Sequence, residues 1–180
     1  MSAIKMAFTV LLMGIFMPLS TSHADDPVDK AEVEGIVNYS RIGNETGFGG
    51  TTAPEAMAFL AEEGYSTVIN LRLESEEGAY VEAEGMAAEA IGINYVHLPF
   101  DTGNPAPGYF EQFLAAVEDP SNQPVYIHCG SATRVAALWM SKRVIADGWS
   151  LDEAADEARQ IAGKPDAAVE FATKYIESQE

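Results

Sequence analysis

Apolar positions along this chain fall into two patterns, short continuous runs and longer amphipathic stretches. The short runs, rich in β-branched and aromatic residues, predict buried strands at 67–71, 94–98 and 124–128. Apolar residues at helical spacing predict helices at 80–91, 109–118, 135–146, 151–162 and 166–178. Strands that alternate with helices predict an α/β fold, with a mostly parallel central sheet flanked by helices on both faces.

The segment before the first of these strands is less regular. We predict an early strand or hairpin at 33–42, followed by a glycine-rich turn at 43–50. Thr52 with Glu55 three residues later predicts a capping box that opens a helix, and Gly64 predicts its end. Ser150 with Glu153 predicts a second capping box at the start of the 151–162 helix.

Residues 1–24 have the pattern of a secretory signal peptide. Lys5 precedes an apolar run that ends at Pro18, and the small residues before Asp25 suit a signal peptidase. The alternative is an uncleaved N-terminal anchor, although the run is short for a bilayer. We therefore expect a signal peptide at 1–24, a flexible lead-in at 25–32 and a single domain at 33–180. The expected destination is the periplasm, with no stable membrane insertion after cleavage.

Composition and net charge argue against several classes of binding partner. The 180 residues are 47% hydrophobic, which is enough for a core that needs no disulfide or metal. The net charge is −18, from 10 basic and 28 acidic residues. Such a surface argues against nucleic-acid binding, which requires phosphate-neutralising cations, and against docking on anionic lipid. The two His residues outside the signal segment show no ligand spacing, and we expect no metal and no cofactor.

The single cysteine, Cys129, stands between the 124–128 strand and a predicted helix. Arg134 follows after four small residues whose amides are expected to surround an anion, namely Gly130, Ser131, Ala132 and Thr133. A thiol at a helix start is expected to ionise at neutral pH and to act as a nucleophile, while Arg134 binds two phosphate oxygens. The alternative is that Cys129 is a small buried hydrophobic residue.

The segment PVYIHCGSATR resembles the phosphate-binding loop of the cysteine-based, dual-specificity-type protein phosphatases, and most of all their β-lactamase-hydrolase-like branch. The likeness extends to TTAPEAMAFLAEEGYSTVINLR and to YVHLPFDTGNPAPGYFEQFLAAVEDPSNQPVYIHC. It implies a dual-specificity-phosphatase-like fold and hydrolysis of phosphomonoesters through a phosphocysteine at Cys129. The loop is one residue shorter than in the family at large, and Val135 replaces the usual Ser or Thr after the arginine.

The resemblance also implies a general acid on a mobile loop, and Asp101 is the candidate. A turn-forming role at the start of Asp-Thr-Gly is the alternative for this residue. His128 is a candidate for orienting the loop or tuning the thiol, and Arg72 for adding positive potential near the rim of the site. His128 is equally consistent with a hydrogen-bonded core histidine, and Arg72 with a structural ion pair to Glu74, Glu76 or Glu77.

Two other functions remain open from the sequence. A rhodanese-like sulfurtransferase has a loop of the same length and carries a persulfide on its cysteine, although Gly130 stands where rhodaneses often have Arg. A phosphatase fold without efficient catalysis would instead bind phosphorylated ligands. For the favoured function, the expected partner is a phosphorylated small molecule or a phosphoprotein.

Overall fold

A computed structural model describes residues 26–179. Its sheet has six strands in the order β1-β2-β3-β6-β4-β5. The strands are β1 Val28–Lys30, β2 Ser40–Ile42, β3 Thr46–Gly49, β4 Thr67–Asn70, β5 Asn94–His97 and β6 Val125–His128. The helices are α1 Met57–Glu62, α2 Val81–Ala90, α3 Tyr109–Glu118, α4 Thr133–Ile145, α5 Leu151–Ile161 and α6 Pro165–Glu177.

Four of the strands are parallel, and their carboxyl ends coincide. β6 pairs with β3 on one side and β4 on the other, and β5 continues the sheet beyond β4. The register aligns the last residues of these strands, Gly49, His128, Asn70 and His97. Because ligands of such sheets bind beyond the carboxyl ends of the strands, the loop after His128 occupies the position expected for a site.

Helices cover both faces of the sheet, as the sequence predicted. One face packs against α3 to α6 around residues such as Phe113, Ile127 and Met140. The other packs against α1 and α2 around Leu60 and Tyr126. Since side chains alternate along a strand, Cys129 belongs to the first layer and His128 faces the second. The prediction of an α/β fold with a mostly parallel sheet is confirmed.

Two predictions for the first quarter of the chain require correction. Val28–Lys30, within the segment predicted as a flexible lead-in, form edge strand β1, which pairs antiparallel with β2. Part of the predicted glycine-rich turn is β3, a strand in the middle of the sheet. Glycine is required there because a Cβ on Gly47 would collide with the Tyr65 hydroxyl and one on Gly49 with the Tyr126 hydroxyl. Because glycine has no side chain, the run of apolar residues that predicts a buried strand is interrupted here.

The first predicted capping box is wrong and the second is confirmed. Thr52 is fully buried, and its hydroxyl donates to the Gly50 carbonyl at 3.1 Å and contacts the Tyr126 hydroxyl at 2.9 Å. The helical segment begins instead with a 3-10 turn at Pro54–Ala56. At α5, the Ser150 hydroxyl accepts from the Glu153 amide and the Glu153 carboxylate accepts from the Ser150 amide.

The close approach of β3 to Tyr126 gives a stability prediction. We expect Gly49→Ala to lower the free energy of unfolding by roughly 1–3 kcal/mol, because the added methyl group must displace a buried tyrosine. Gly103→Ala is the control, since its Cβ would approach only the Asp101 carboxylate, at 3.3 Å. Urea unfolding measures both. An equal effect of the two substitutions would contradict the packing argument.

Candidate active site

The loop between β6 and α4 carries the predicted nucleophile. β6 is completely buried, so the chain leaves the sheet from a fixed point. Ala132, the N-cap residue of α4, has φ = 61°, and no side chain caps the helix. α4 begins at Thr133, two residues earlier than predicted, which places Arg134 in its first turn. The free amides of that turn therefore lie next to Cys129's loop.

Two neighbouring segments hold the carbonyl oxygens of this loop. The Gly130 carbonyl accepts from the Thr51 amide at 3.0 Å and from the Thr51 hydroxyl at 3.1 Å. The Ser131 carbonyl accepts from the Gly163 amide at 2.9 Å. Within residues 26–179 the amides of Gly130, Ser131 and Ala132 donate no hydrogen bond of normal geometry, although Ser131 forms an isolated antiparallel bridge with Gly50. Carbonyls bound to the surroundings and amides without acceptors are the arrangement that an anion-binding loop requires.

Cys129 lies beneath the surface and beside Arg134. Its side chain is 1% exposed, and its amide donates to the Gly49 carbonyl at 3.1 Å. The Arg134 guanidinium lies against the loop, since a Cβ on Gly130 would be 3.7 Å from Nη2, and the nearby cysteine contributes to raising the pKa of Arg134. The structure therefore brings these two predicted residues together. A buried apolar layer surrounds the rest of the cysteine side chain.

The guanidinium of Arg134 is held at its end by Glu76. Nη1 donates to Glu76 Oε1 at 2.6 Å and Nη2 donates to Oε2 at 2.7 Å. Nη1 also donates to the carbonyls of Phe100 at 3.1 Å and Leu71 at 3.3 Å. These contacts leave Nε–H and one Nη2–H, which form the planar edge suited to two oxygens of a phosphate.

The contact between Arg134 and Glu76 stabilises the charged form of both side chains. Burial opposes charging of Arg134, but the hydrogen bonds to Glu76 and the proximity of Cys129 raise the pKa of the guanidinium. Burial by itself raises the pKa of Glu76. The hydrogen bonds from Arg134, the Leu73 amide and Arg72 outweigh it and lower this pKa from 4.5 to about 2. Sequence reasoning considered Glu76 only as a neighbour of Arg72 and missed its contact with Arg134.

Arg72 supports the segment that carries Glu76. Its side chain is almost fully buried, and Nη2 donates to the Glu77 carbonyl at 2.7 Å and Nη1 to the Thr51 hydroxyl at 3.2 Å. A further bond runs from Nη1 to the Gly78 carbonyl. Nε donates to Glu76 at 3.3 Å, which makes the glutamate a bridge between two arginines. Arg72 thus holds the turn after β4 in place and does not itself line the cavity beside the loop.

His128 lies on the other face of the sheet from Cys129. It is fully buried, with Nε2 3.1 Å from Oε2 of Glu84, which is also fully buried. The same carboxylate oxygen accepts from Asn70 and from Tyr95, each at 2.8 Å. The histidine is therefore part of a buried polar cluster beneath α2. It is joined to the nucleophile loop by its backbone, and its side chain points away from that loop.

Asp101 lies on an exposed loop at the rim of the site. Its Oδ1 accepts from the Gly103 amide at 2.9 Å. This is the turn at Asp-Thr-Gly that was expected as the alternative to a general acid. The loop is anchored on both sides, by the Phe100 carbonyl on Arg134 and by the Tyr109 hydroxyl, which donates to the Leu98 carbonyl at 2.7 Å. Asp101 therefore has a fixed base and an exposed carboxylate at the rim of the cavity.

A cavity of about 430 Å³ lies over the loop. Its polar and charged lining comprises Glu76, Asp101, Thr102, Ser131, Thr133, Arg134 and Lys164. Its apolar lining comprises Leu73, Phe100, Ala137, Ala167 and Phe171. Lys164 was not among the predicted site residues, because it follows the loop by 30 positions and belongs to no motif around it.

Two further observations concern membranes and metals. No helix between residues 26 and 179 combines the length and apolar character needed to span a bilayer. In the same range no group of three or more His, Cys, Asp or Glu side chains is arranged to hold a metal ion. The predicted signal peptide at 1–24 lies outside the described residues.

Comparison with known proteins agrees with this geometry. A family model described as DSP-PTPase phosphatase fused to NAD+ kinase matches residues 28–173. NAD kinase 2, chloroplastic, of Arabidopsis thaliana is 27% identical over 113 residues, which are 62% of this chain. The matched region spans only 11% of the length of that curated relative.

Two solved structures share the fold. The core catalytic domain of the PP-IP phosphatase SIW14 from S. cerevisiae has a TM-score of 0.66 and 22% identity, covering 82% of this chain and 91% of that one. TpbA from P. aeruginosa has a TM-score of 0.65 and 16% identity, covering 84% of this chain and 90% of that one. At these identities the likeness establishes the fold.

The Glu76 contact gives a pH-dependent stability prediction. We expect Glu76→Gln to lower the free energy of unfolding at pH 7 by roughly 1–3 kcal/mol, because charge-assisted bonds to Arg134 are lost. The pKa of Glu76 is lower in the folded protein than its value of 4.5 in the unfolded chain. The extra stability of wild type over Glu76→Gln is therefore fully present above pH 4.5 and is lost as the pH falls toward 2.

Urea unfolding at pH 7, 5 and 3 measures this difference. Glu74→Gln is the control, because Glu74 is exposed and makes no ion pair within the described residues. A gap between wild type and Glu76→Gln that stays constant down to pH 3 would contradict the assignment.

Proposed function

This chain belongs to the family described as DSP-PTPase phosphatase fused to NAD+ kinase, and we propose that it hydrolyses phosphomonoesters with Cys129 as the nucleophile. The observation that carries the proposal is the position of the Arg134 guanidinium against the short loop that follows Cys129, whose amides donate no hydrogen bond of normal geometry within residues 26–179. The substrate is a phosphorylated small molecule or a phosphorylated protein side chain. The N-terminal pattern supports a periplasmic destination.

The first chemical step transfers the phosphoryl group to the enzyme. The Cys129 thiolate attacks phosphorus, forming a P–S bond, and the P–O bond to the leaving group breaks. Asp101 donates a proton to the leaving oxygen once its loop has closed over the site. The free edge of Arg134 and the loop amides bind the equatorial oxygens, where negative charge is held in the transition state.

The second step returns the enzyme to its starting state. Asp101, now a carboxylate, accepts a proton from water, whose oxygen attacks phosphorus and displaces the thiolate. In this fold a hydroxyl after the arginine usually assists that departure, but Val135 is fully buried and has none. The Ser131 and Thr133 hydroxyls, 2.9 Å apart in the loop, are the nearest donors in sequence. We infer that the second step is the slower one.

Family membership argues for phosphoryl transfer over the two alternatives. A persulfide on Cys129 would use the same amides, so loop geometry alone does not exclude sulfur transfer. The match over residues 28–173 is to a phosphatase family. A purely ligand-binding role would require no residue at the position of Asp101, whereas this chain retains a carboxylate at the cavity rim.

A substrate comparison tests the proposed reaction. Purified mature protein is expected to release phosphate from 4-nitrophenyl phosphate, and Cys129→Ser is expected to reduce the rate to the uncatalysed level because the nucleophile is lost. Acid quenching during turnover should leave phosphate on Cys129, the one cysteine in the chain. Thiocyanate formed from thiosulfate and cyanide would indicate a sulfurtransferase. Tight phosphate binding with neither reaction would indicate a binding protein.

The role of Asp101 is tested by the leaving group. Asp101→Asn is expected to slow hydrolysis of phenyl phosphate by about 100-fold, because its leaving oxygen needs a proton. Hydrolysis of an activated aryl phosphate should fall much less. Asp119→Asn is the matched control, since Asp119 also accepts from an amide in an exposed turn but lies outside the cavity. Equal losses on the two substrates would remove Asp101 as the general acid.

A further inference from the structure

Lys164 differs from the other basic side chains in its lack of a partner. Between residues 26 and 179, seven basic residues form ion pairs and Lys30 donates to the Asn38 side chain. The seven are Arg41, Arg72, Arg134, Lys142, Arg143, Arg159 and Lys174. Lys164 alone has no ion pair or side-chain hydrogen bond within that range. In a chain of net charge −18, a cation without a partner is unusual.

The backbone of Lys164 is attached to the nucleophile loop. Its amide donates to the Thr133 hydroxyl at 3.1 Å, and the preceding Gly163 amide donates to the Ser131 carbonyl at 2.9 Å. A Cβ on Gly163 would collide with the Ser131 carbonyl, so only glycine permits this close approach. The segment between α5 and α6 is thus built against the loop, and it places Lys164 on the cavity wall.

The cavity is larger than one phosphate group, and it contains a cation that the reacting phosphate does not use. Its charged lining is balanced, with Arg134 and Lys164 against Glu76 and Asp101. Glu76 is already neutralised by two arginines, and the reacting phosphate is bound by the loop amides and Arg134. Lys164 remains available, and a volume of about 430 Å³ with Phe100 and Phe171 in its wall holds more than a phosphate group.

We propose that Lys164 binds a second anionic group of the substrate, so that the preferred substrates are small phosphomonoesters with a carboxylate or second phosphate near the reacting phosphate. This inference rests on the proposed phosphatase function and names its substrate class. The apolar wall contacts the carbon skeleton between the two anions. The lysine ammonium, a point charge on a flexible stem, accepts either anion.

Matched aryl phosphates test this inference. The substrates are 3-carboxyphenyl phosphate, its neutral methyl ester and 1,3-phenylene bisphosphate, which share one ring and differ in the second group. We expect wild type to favour the two substrates with a second anionic group over the ester in kcat/KM. Lys164→Met should reduce kcat/KM for those two by roughly 2- to 5-fold and leave the ester unchanged. The larger of the two losses identifies the preferred anion.

Lys174→Met is the control, because Lys174 lies on α6, the helix that directly follows Lys164, pairs with Glu170 and does not line the cavity. It should leave all three rates unchanged. High salt should reduce the wild-type preference, since screening weakens an exposed charge contact. An equal loss on the ester and the acids, or no loss with Lys164→Met, overturns the assignment of Lys164.

Failure of the proposed function is distinguishable from failure of this inference. If wild type hydrolyses none of the three compounds, the phosphatase proposal fails. Calorimetry on the Cys129→Ser protein, with and without Lys164→Met, then measures binding of the same compounds without turnover. Binding of the two compounds with a second anionic group that weakens by the same factor with Lys164→Met supports the second-anion contact, and unchanged binding contradicts it.

Discussion

The bidentate contact between Arg134 and Glu76 is the interaction on which the site depends. A carboxylate beside an anion-binding loop is unfavourable unless its charge is compensated, and here Arg72 provides that compensation from behind. Because Glu76 binds two guanidinium groups, Arg134 retains positive charge toward the cavity. The same contact fixes the end of the guanidinium, so its free edge has one orientation. Positioning and charge balance thus arise from three side chains.

Long-range hydrogen bonds impose the conformation of the loop itself. The segment after β3 holds the Gly130 carbonyl, the segment after β4 holds the His128 carbonyl, and the segment before α6 holds the Ser131 carbonyl. The first two segments meet here because the parallel strands end together, and the third reaches the loop from the connection between α5 and α6. A short loop with a positive φ at Ala132 therefore has little conformational freedom, which favours preorganised binding of an anion.

Local sequence patterns predicted the parts of this arrangement that local forces determine. The amphipathic spacing located α3 to its end residues, and the strand, small-residue loop and helix around Cys129 placed the cysteine and arginine together. β3 was missed because close packing against tyrosine hydroxyls selected glycines there. Thr52 was misassigned because its partner is Tyr126, 74 residues away. Glu76 and Lys164 reach the site through contacts that span 58 and 31 residues, and no local pattern encodes them.

The net negative charge of the protein and the positive groups in the cavity act on a ligand over different distances. Most basic side chains of this acidic chain are bound to carboxylates of their own neighbourhood, so they add little to the field felt by a distant ligand. Long-range repulsion of a polyanion is screened within about 8 Å at physiological salt. Inside the cavity the local donors dominate: the loop amides, the free edge of Arg134 and Lys164. A small anion that enters this cavity is therefore bound by donors that the net charge of the protein does not cancel.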